Sequence, residues 1–358
     1  MTTIAVIGLG KVGNLVASLL AQQFNVTGFD LSEPSHHTSY EFTKIDITNT
    51  KDTSKKLSSF KNIVSCLPYN LNKQIAKIAH THHANYFDLT EDIATTDLVK
   101  ELSKTNQGVM VPQCGLAPGF IGIIGAYLIK KFTKLRDVEL RVGALPRFPN
   151  GQLGYSFNWS PAGVINEYLN DAEVIHNGVR KFVPSLSQLE VINIEGQEYE
   201  AFSTSGGLGT LCKTLEGKLD TLNYKTIRYP GHAQLMRFLL SELLLKNEPE
   251  LITKILTDAK PPVNEDLVHV YAVVEGWKNK VIAREEFFET FYPQTINDIN
   301  YRAISWTTAA SICSVIYLVA HKKLPQKGFV KQEDIVLEDF LNTPYGELYK
   351  NQIKTWKF

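Results

Sequence analysis

A chain of 358 residues is long enough for two domains of ordinary size, each with its own core. Lysine plus arginine equals aspartate plus glutamate, at 37 each, with no long run of either sign; nucleic acid and anionic membrane are therefore poor partners. The four cysteines, Cys66, Cys114, Cys212 and Cys313, lack metal-ligand spacing and suit a reducing cytoplasm better than a disulfide framework.

No basic segment precedes the first apolar run, and the apolar stretch at 309–320 is too short to span a bilayer. The sequence thus reads as a soluble, cytoplasmic chain without a signal peptide. That first run, Ile4-Ala5-Val6-Ile7, leads into Gly8-Leu9-Gly10-Lys11-Val12-Gly13 and then an amphipathic segment with Leu15, Val16, Leu19 and Leu20 at helical spacing. Strand, glycine-rich turn and helix form the dinucleotide fingerprint. In that arrangement Gly8 permits the turn, Gly10 admits a pyrophosphate to bare backbone, and Gly13 lets helix and strand pack closely. The helix N-terminus offers N–H groups to the phosphates. A second apolar run, Val26-Thr27-Gly28-Phe29-Asp30, ends on the acid expected to accept ribose hydroxyls.

Alternation of apolar runs and amphipathic segments continues to about residue 112 and predicts a parallel sheet covered by helices. Strands are expected at 40–46, 63–67, 85–89 and 108–111, the last closing the sheet, with helices at 71–82 and 97–104. Ligands of such sheets bind beyond the carboxyl ends of the strands. Asp30, Asp46, Tyr69, Asp88 and Cys114 fall there. Gly8, Gly10, Lys11, Val12, Gly13, Asp30 and Asp46, with Cys66-Leu67-Pro68 at a neighbouring strand end, are the candidates for cofactor contact.

The turn Gly115-Leu116-Ala117-Pro118-Gly119 marks a domain boundary and opens a helix at 120–132. Beyond it Val138, Leu140 and Val142 alternate with charged residues, as on a strand with one wet face. A strand is expected at 153–159, a helix at 161–169, short strands to 200, a strand at 222–229, a helix at 231–246, and a hairpin from 267–274 and 281–292. The apolar helix at 304–319 is expected to return to the first domain. The fold class is therefore α/β: a Rossmann-type doubly wound parallel sheet over residues 1–116, joined by a returning segment at 301–358. A mixed α+β domain for substrate binding and dimerisation occupies 117–300.

Several motifs resemble the saccharopine dehydrogenase family: Gly8 to Gly13, Cys66-Leu67-Pro68-Tyr69, Gly115 to Gly119, and Val142-Gly143-Ala144-Leu145-Pro146. Glu200-Ala201-Phe202-Ser203-Thr204-Ser205-Gly206-Gly207 and Leu222-Asn223-Tyr224-Lys225-Thr226-Ile227-Arg228-Tyr229-Pro230-Gly231-His232 look especially like lysine 6-dehydrogenases. Ala117 is similar to that branch, where glutamate-forming saccharopine dehydrogenases tend to carry Asp. Phe157-Asn158-Trp159-Ser160-Pro161, Tyr69 and Cys114 are more like the saccharopine branch. The resemblance implies hydride transfer between a nicotinamide and a carbon bearing nitrogen. Its leading form is oxidative deamination of lysine at the ε-amine, its rival the secondary amine of saccharopine. A homodimer is implied as well. A non-catalytic nucleotide-binding regulator is the alternative from another class.

An ammonium of pKa about 10.4 must lose a proton before hydride can leave. Asp88 is a candidate to hold it, or else a carboxylate capping the loop at Thr90. Tyr69 either meets the nicotinamide or substrate or lies on the surface after a proline turn. Cys114 is either a proton donor or a small buried residue in a tight turn. Arg228 is the natural fork for a substrate carboxylate, with Asn158, Lys225 and His232 as further candidates. Salt bridges are the alternative for the charged ones. Strand alternation points Lys225 and Arg228 to opposite faces. No metal site is expected, because His36-His37 and His82-His83 sit on polar stretches. Asp30 predicts NAD over NADP, since its charge repels a 2′-phosphate and residues 31–39 contain no Lys or Arg; Lys11 is the nearby cation.

Overall fold

The computed structural model of the chain describes residues 2–34 and 38–354, so His36 and His37 lie outside the described residues. Ile4 to Ile7 are wholly buried, as a central parallel strand requires, and form β1 (Thr3–Ile7). In order follow α1 (Lys11–Leu20), β2 (Asn25–Asp30), β3 (Glu41–Lys44), α2 (Thr50–Leu57), β4 (Asn62–Ser65), α3 (Tyr69–Thr81), β5 (Asn85–Asp88), α4 (Ile93–Ser103) and β6 (Val109–Val111). All pairings are parallel, in the order β6-β5-β4-β1-β2-β3, the doubly wound arrangement. Ile7, Phe29, Ile63, Ile75, Tyr86, Val99 and Met110 are part of the core between sheet and helices.

The expectation that β6 closes this sheet is corrected. Gly328–Phe329 adds a seventh parallel strand beside it, Gly328 opposite Val109. Two residues are too few to leave a period in the sequence. Helix α2 leaves no helical signal in the sequence either: its only buried side chains are Thr53 and Leu57, so it shows no apolar stripe.

Contacts divide the described residues into 2–120 with Ser305–Gln352, and Ile121–Ile304 with Ile353 and Lys354. Helix α5 (Phe120–Ile129) opens the second unit, followed by β7 (Lys134–Pro146), α6 (Pro161–Leu169), β8 (Ala172–His176), β9 (Val179–Val183), β10 (Glu190–Ile194), β11 (Gln197–Ser203), α7 (Leu211–Leu215), β12 (Thr221–Arg228), α8 (His232–Arg237), α9 (Pro249–Ala259), β13 (Asp266–Lys278) and β14 (Val281–Phe291). The sheet runs β10-β11-β12-β7-β13-β14, with β12 and β7 parallel and its other neighbours antiparallel.

Two expectations fail here. Residues 153–159 form no strand, although Leu153, Tyr155 and Phe157 alternate inward. Gly151 and Gly154 take positive φ, and the backbone is held instead by Phe157 N–H on the Lys260 carbonyl (3.1 Å). The single helix expected at 231–246 stops at Arg237, widens into a π-helical turn at Phe238–Glu242, and meets Leu244 in a left-handed conformation before a short 3-10 turn. Its leucines ring the axis instead of lining one face, and only Leu240 among residues 238–242 is buried.

The apolar helix α10 (Ala303–Ala320) has 18 residues, longer than the run read from the sequence. By length and composition it could cross a membrane, yet most of it is buried within the protein. Asp266 starts it, accepting N–H bonds from Ala303 (2.6 Å) and Ile304 (3.1 Å).

Candidate active site

The glycine turn is built for a dinucleotide. Gly8 has φ +89°, and its N–H donates to the Phe29 carbonyl (2.9 Å), continuing the β1–β2 pairing into the turn. A Cβ on Gly13 would overlap the Gly8 carbonyl oxygen and lie 3.0 Å from the Cβ of Cys66. A Cβ on Gly10 would meet nothing within 4 Å, so open space lies against the N-terminus of α1. The first-turn N–H groups of a helix have no intrahelical acceptor, and a pyrophosphate fits that space and that polarity. Lys11 and Val12 begin the helix, and Cys66-Leu67-Pro68 follow β4, with Pro68 at the cap of α3.

Asp30 ends β2, half-buried. Its Oδ2 accepts the Leu9 N–H (2.6 Å) and its Oδ1 the Ser32 N–H (3.1 Å), so the carboxylate also fastens the glycine turn. The lone pairs left over suit ribose hydroxyls. Asp46 sits past the edge strand β3, exposed, and its Oδ1 binds the N–H (2.9 Å) and hydroxyl (2.7 Å) of Thr48. Those hydroxyl and backbone bonds hold its carboxyl below the ordinary range.

Asp88 is 0% exposed. Its Oδ1 accepts N–H bonds from Thr90 (3.0 Å) and Gln113 (2.9 Å), and its Oδ2 the Tyr86 hydroxyl (2.8 Å). Burial lifts its carboxyl to about 6 against those three bonds. Of the two roles open to it, fastening the Thr90 loop is the one this geometry performs. Cys114 is equally enclosed: its thiol donates to the Val111 carbonyl (3.1 Å), and Gln332 Nε2 donates to its sulfur (3.4 Å). Burial, then the Asp88 charge, pushes this thiol well above its ordinary value, leaving it neutral. Cys66 is driven to about 12 by the same two causes. Tyr69 is half-buried at the start of α3, its hydroxyl raised by burial and then by Asp92 and Glu91. Glu91 was not among the residues singled out from sequence; a Glu in a polar loop carries no signal there.

In the second unit the four candidates separate into three settings. Lys225 binds Glu190 (2.7 Å), which also pairs with Arg141, so it belongs to a buried ion network and not to a ligand site. Asn158 accepts the Val263 N–H (2.8 Å) and pins a loop. Arg228 and His232 come together with Tyr168. Arg228 Nε–H donates to the Tyr168 oxygen (3.1 Å), and its guanidinium lies 4.5 Å from the centre of the Tyr155 ring. His232 Nδ1 faces the Leu153 carbonyl (3.0 Å), which only accepts, so Nδ1 carries the proton and Nε2 accepts from the Tyr168 hydroxyl (3.0 Å). Burial, then Arg228, lowers His232 to about 3, and it stays neutral. Glu200, missed in the sequence, joins two of the motifs by accepting N–H bonds from Gly231 (2.9 Å) and Ala233 (2.6 Å).

Residues 4–111 match the saccharopine dehydrogenase NADP binding domain, and residues 115–353 match the saccharopine dehydrogenase C-terminal domain. The chain belongs to the saccharopine dehydrogenase family. As a family member it is an oxidoreductase with a nicotinamide dinucleotide, NAD or NADP, as cofactor. The rat mitochondrial alpha-aminoadipic semialdehyde synthase is 24% identical over 275 residues, 68% of this chain and 28% of that protein; the mouse protein matches equally. The chain thus spans under a third of the length of these relatives. Saccharopine dehydrogenase (L-Glu forming) from Saccharomyces cerevisiae superposes with a TM-score of 0.75 at 16% identity, over 96% of this chain and 97% of that one. Homospermidine synthase from Legionella pneumophila, in complex with NAD, gives 0.67 at 14% identity, over 99% and 90%. At such identities these two establish the fold.

Proposed function

We propose that this saccharopine dehydrogenase family member is an amino-acid dehydrogenase of lysine metabolism that prefers NAD. It would oxidise lysine at the ε-amine and release ammonia and 2-aminoadipate 6-semialdehyde. The observation that carries this reading is the state of the buried cations. Among the described residues of the second unit, Arg141, Lys225 and Arg228 are the buried Lys and Arg side chains. Arg141 and Lys225 pair with Glu190, whereas Arg228, 2% exposed, touches no carboxylate among the described residues; the charge of buried Glu167 acts on it without an ion pair. A buried guanidinium that no carboxylate touches is costly unless an anion completes it. One such fork matches the single carboxylate of lysine.

When bound, the dinucleotide supplies the hydride acceptor. The chain's own residues do the rest. The glycine turn seats the pyrophosphate, Asp30 accepts from the ribose and repels a 2′-phosphate, and Arg228 grips the substrate carboxylate in two parallel bonds. The Tyr168–His232 pair, with both ring nitrogens engaged, fixes the direction of that guanidinium.

The second reading is oxidation of saccharopine, favoured by the likeness to the yeast L-Glu-forming saccharopine dehydrogenase and to the alpha-aminoadipic semialdehyde synthases. Turnover measured with lysine, saccharopine, and semialdehyde plus glutamate separates the two. Reduction of NAD with lysine is expected; activity confined to saccharopine would overturn the first reading in favour of the second. Cofactor binding with turnover of no amine would leave a nucleotide-binding regulator.

A further inference from the structure

At the carboxyl end of β5 the chain turns through Leu89-Thr90-Glu91-Asp92 before α4, where ligands of doubly wound sheets bind. The turn is pinned on both sides of Glu91. Thr90 N–H donates to Asp88 (3.0 Å), and Asp92 N–H donates to the Thr90 hydroxyl oxygen (3.1 Å). The Asp92 carboxylate is taken up as the cap of α4, by the N–H (2.7 Å) and hydroxyl (2.6 Å) of Thr95, with Lys73 at 3.8 Å. Glu91 is the carboxylate left over. Half-buried, it has no ion pair or hydrogen bond to another residue among the described residues.

We propose that Glu91 is the general base that takes a proton from the substrate's ammonium before hydride transfer. The inference rests on the amine-dehydrogenase reading and names the group that reading lacks, since Asp88 and Cys114 are enclosed and already bonded. In the step an N–H bond of R–CH2–NH3+ breaks and an O–H bond forms on Glu91. The lone pair so freed pushes hydride from the carbon to the dinucleotide and leaves R–CH=NH2+, which water converts to aldehyde and ammonium. The proton on Glu91 then passes to solvent.

The surroundings fit the task. Burial, opposed by its own N–H and reinforced by the charges of Asp92 and Asp88, lifts the Glu91 carboxyl to about 7. An ordinary glutamate would be a much weaker base toward an amine, and the best catalytic base titrates near the working pH. The charged and titratable groups facing it are Asp88 on β5, Asp92 at the head of α4, and Tyr69 on α3, with Lys73 reaching Asp92.

The test uses the full chain with Glu91→Gln and Glu91→Asp. The unmodified protein should show kcat/KM with lysine rising through a limb near pH 7. Glu91→Gln should lose that limb and about 10²- to 10⁴-fold in kcat, while its NADH dissociation constant stays within about twofold, since Gln keeps the side chain's shape. Glu91→Asp should retain part of the rate. A Glu91→Gln rate within about threefold of the unmodified protein with the limb intact would overturn the proposal. So would a fall in NADH affinity matching the fall in rate, which would make Glu91 structural. Failure of the unmodified protein to turn over any amine would instead defeat the underlying reading, and the base with it.

Discussion

Asp88 shows burial deciding between two roles for one carboxylate. Its folded value near 6 lies above the ordinary 3.8. A group raised on folding contributes stability that is fully present below its unfolded value and is lost as pH rises through its folded value. Across about pH 4 to 6 Asp88 should therefore cost the fold roughly 2–3 kcal/mol. Asp266, lifted to about 6 chiefly by burial, acts in the same window. Asp88→Asn keeps an acceptor for the Thr90 and Gln113 N–H groups and removes the charge. Urea unfolding should show the variant gaining on the unmodified protein as pH rises from 4 to 7; a difference that does not change with pH would contradict this. Asp30 is the second residue with a clear expectation. Asp30→Ser removes the repulsion toward a 2′-phosphate but also the tether to Leu9, so NAD affinity should fall and the preference for NAD over NADP should weaken or invert. Titration of both cofactors at one salt concentration reads it. Equal or tighter NADP binding by the unmodified protein would contradict the role given to Asp30.

Among the elements, β1, the glycine turn and α1 were legible because each residue answers to one constraint. Gly10 and Gly13 make that testable by pairing. Gly13→Ala drives a Cβ into the Gly8 carbonyl and should cost about 1–3 kcal/mol of stability or more. Gly10→Ala meets no protein atom, so stability should hold within about 1 kcal/mol while cofactor affinity drops. Equal stability losses in the two variants would contradict the geometry. Elements without a period stayed illegible. The two-residue strand Gly328–Phe329 is one, and α2 with its two buried side chains is another. Residues 153–159 had the period of a strand but not a neighbour to pair with. For the site, polarity at strand ends draws attention to Asp30, Asp88 and Tyr69, yet enclosure is a tertiary property. Nothing in the sequence distinguishes Asp88, bonded on all sides, from Glu91, three residues on and partnerless among the described residues.

At the scale of the whole molecule, the chain passes from the first unit to the second near residue 120 and returns near 305. The returning segment brings Gln332 to Cys114 and a seventh strand to the sheet, neither of which composition could announce. The second unit exposes Phe238, Leu243, Leu244, Leu251 and Ile255 on and beside α8 and α9. Apolar groups at this density are a candidate contact for a second copy, and we expect a homodimer through that unit. Sedimentation showing a monomer at every concentration would reject it. The central claim, that the buried Arg228 and the dinucleotide fold serve oxidation of lysine at its far nitrogen, has a direct measurement. The full chain is incubated with NAD and lysine carrying 15N at the ε position only, and the ammonia is analysed. Release of 15N-ammonia in step with NADH is the expected result; unlabelled ammonia, or NADH formed only when saccharopine replaces lysine, would contradict it.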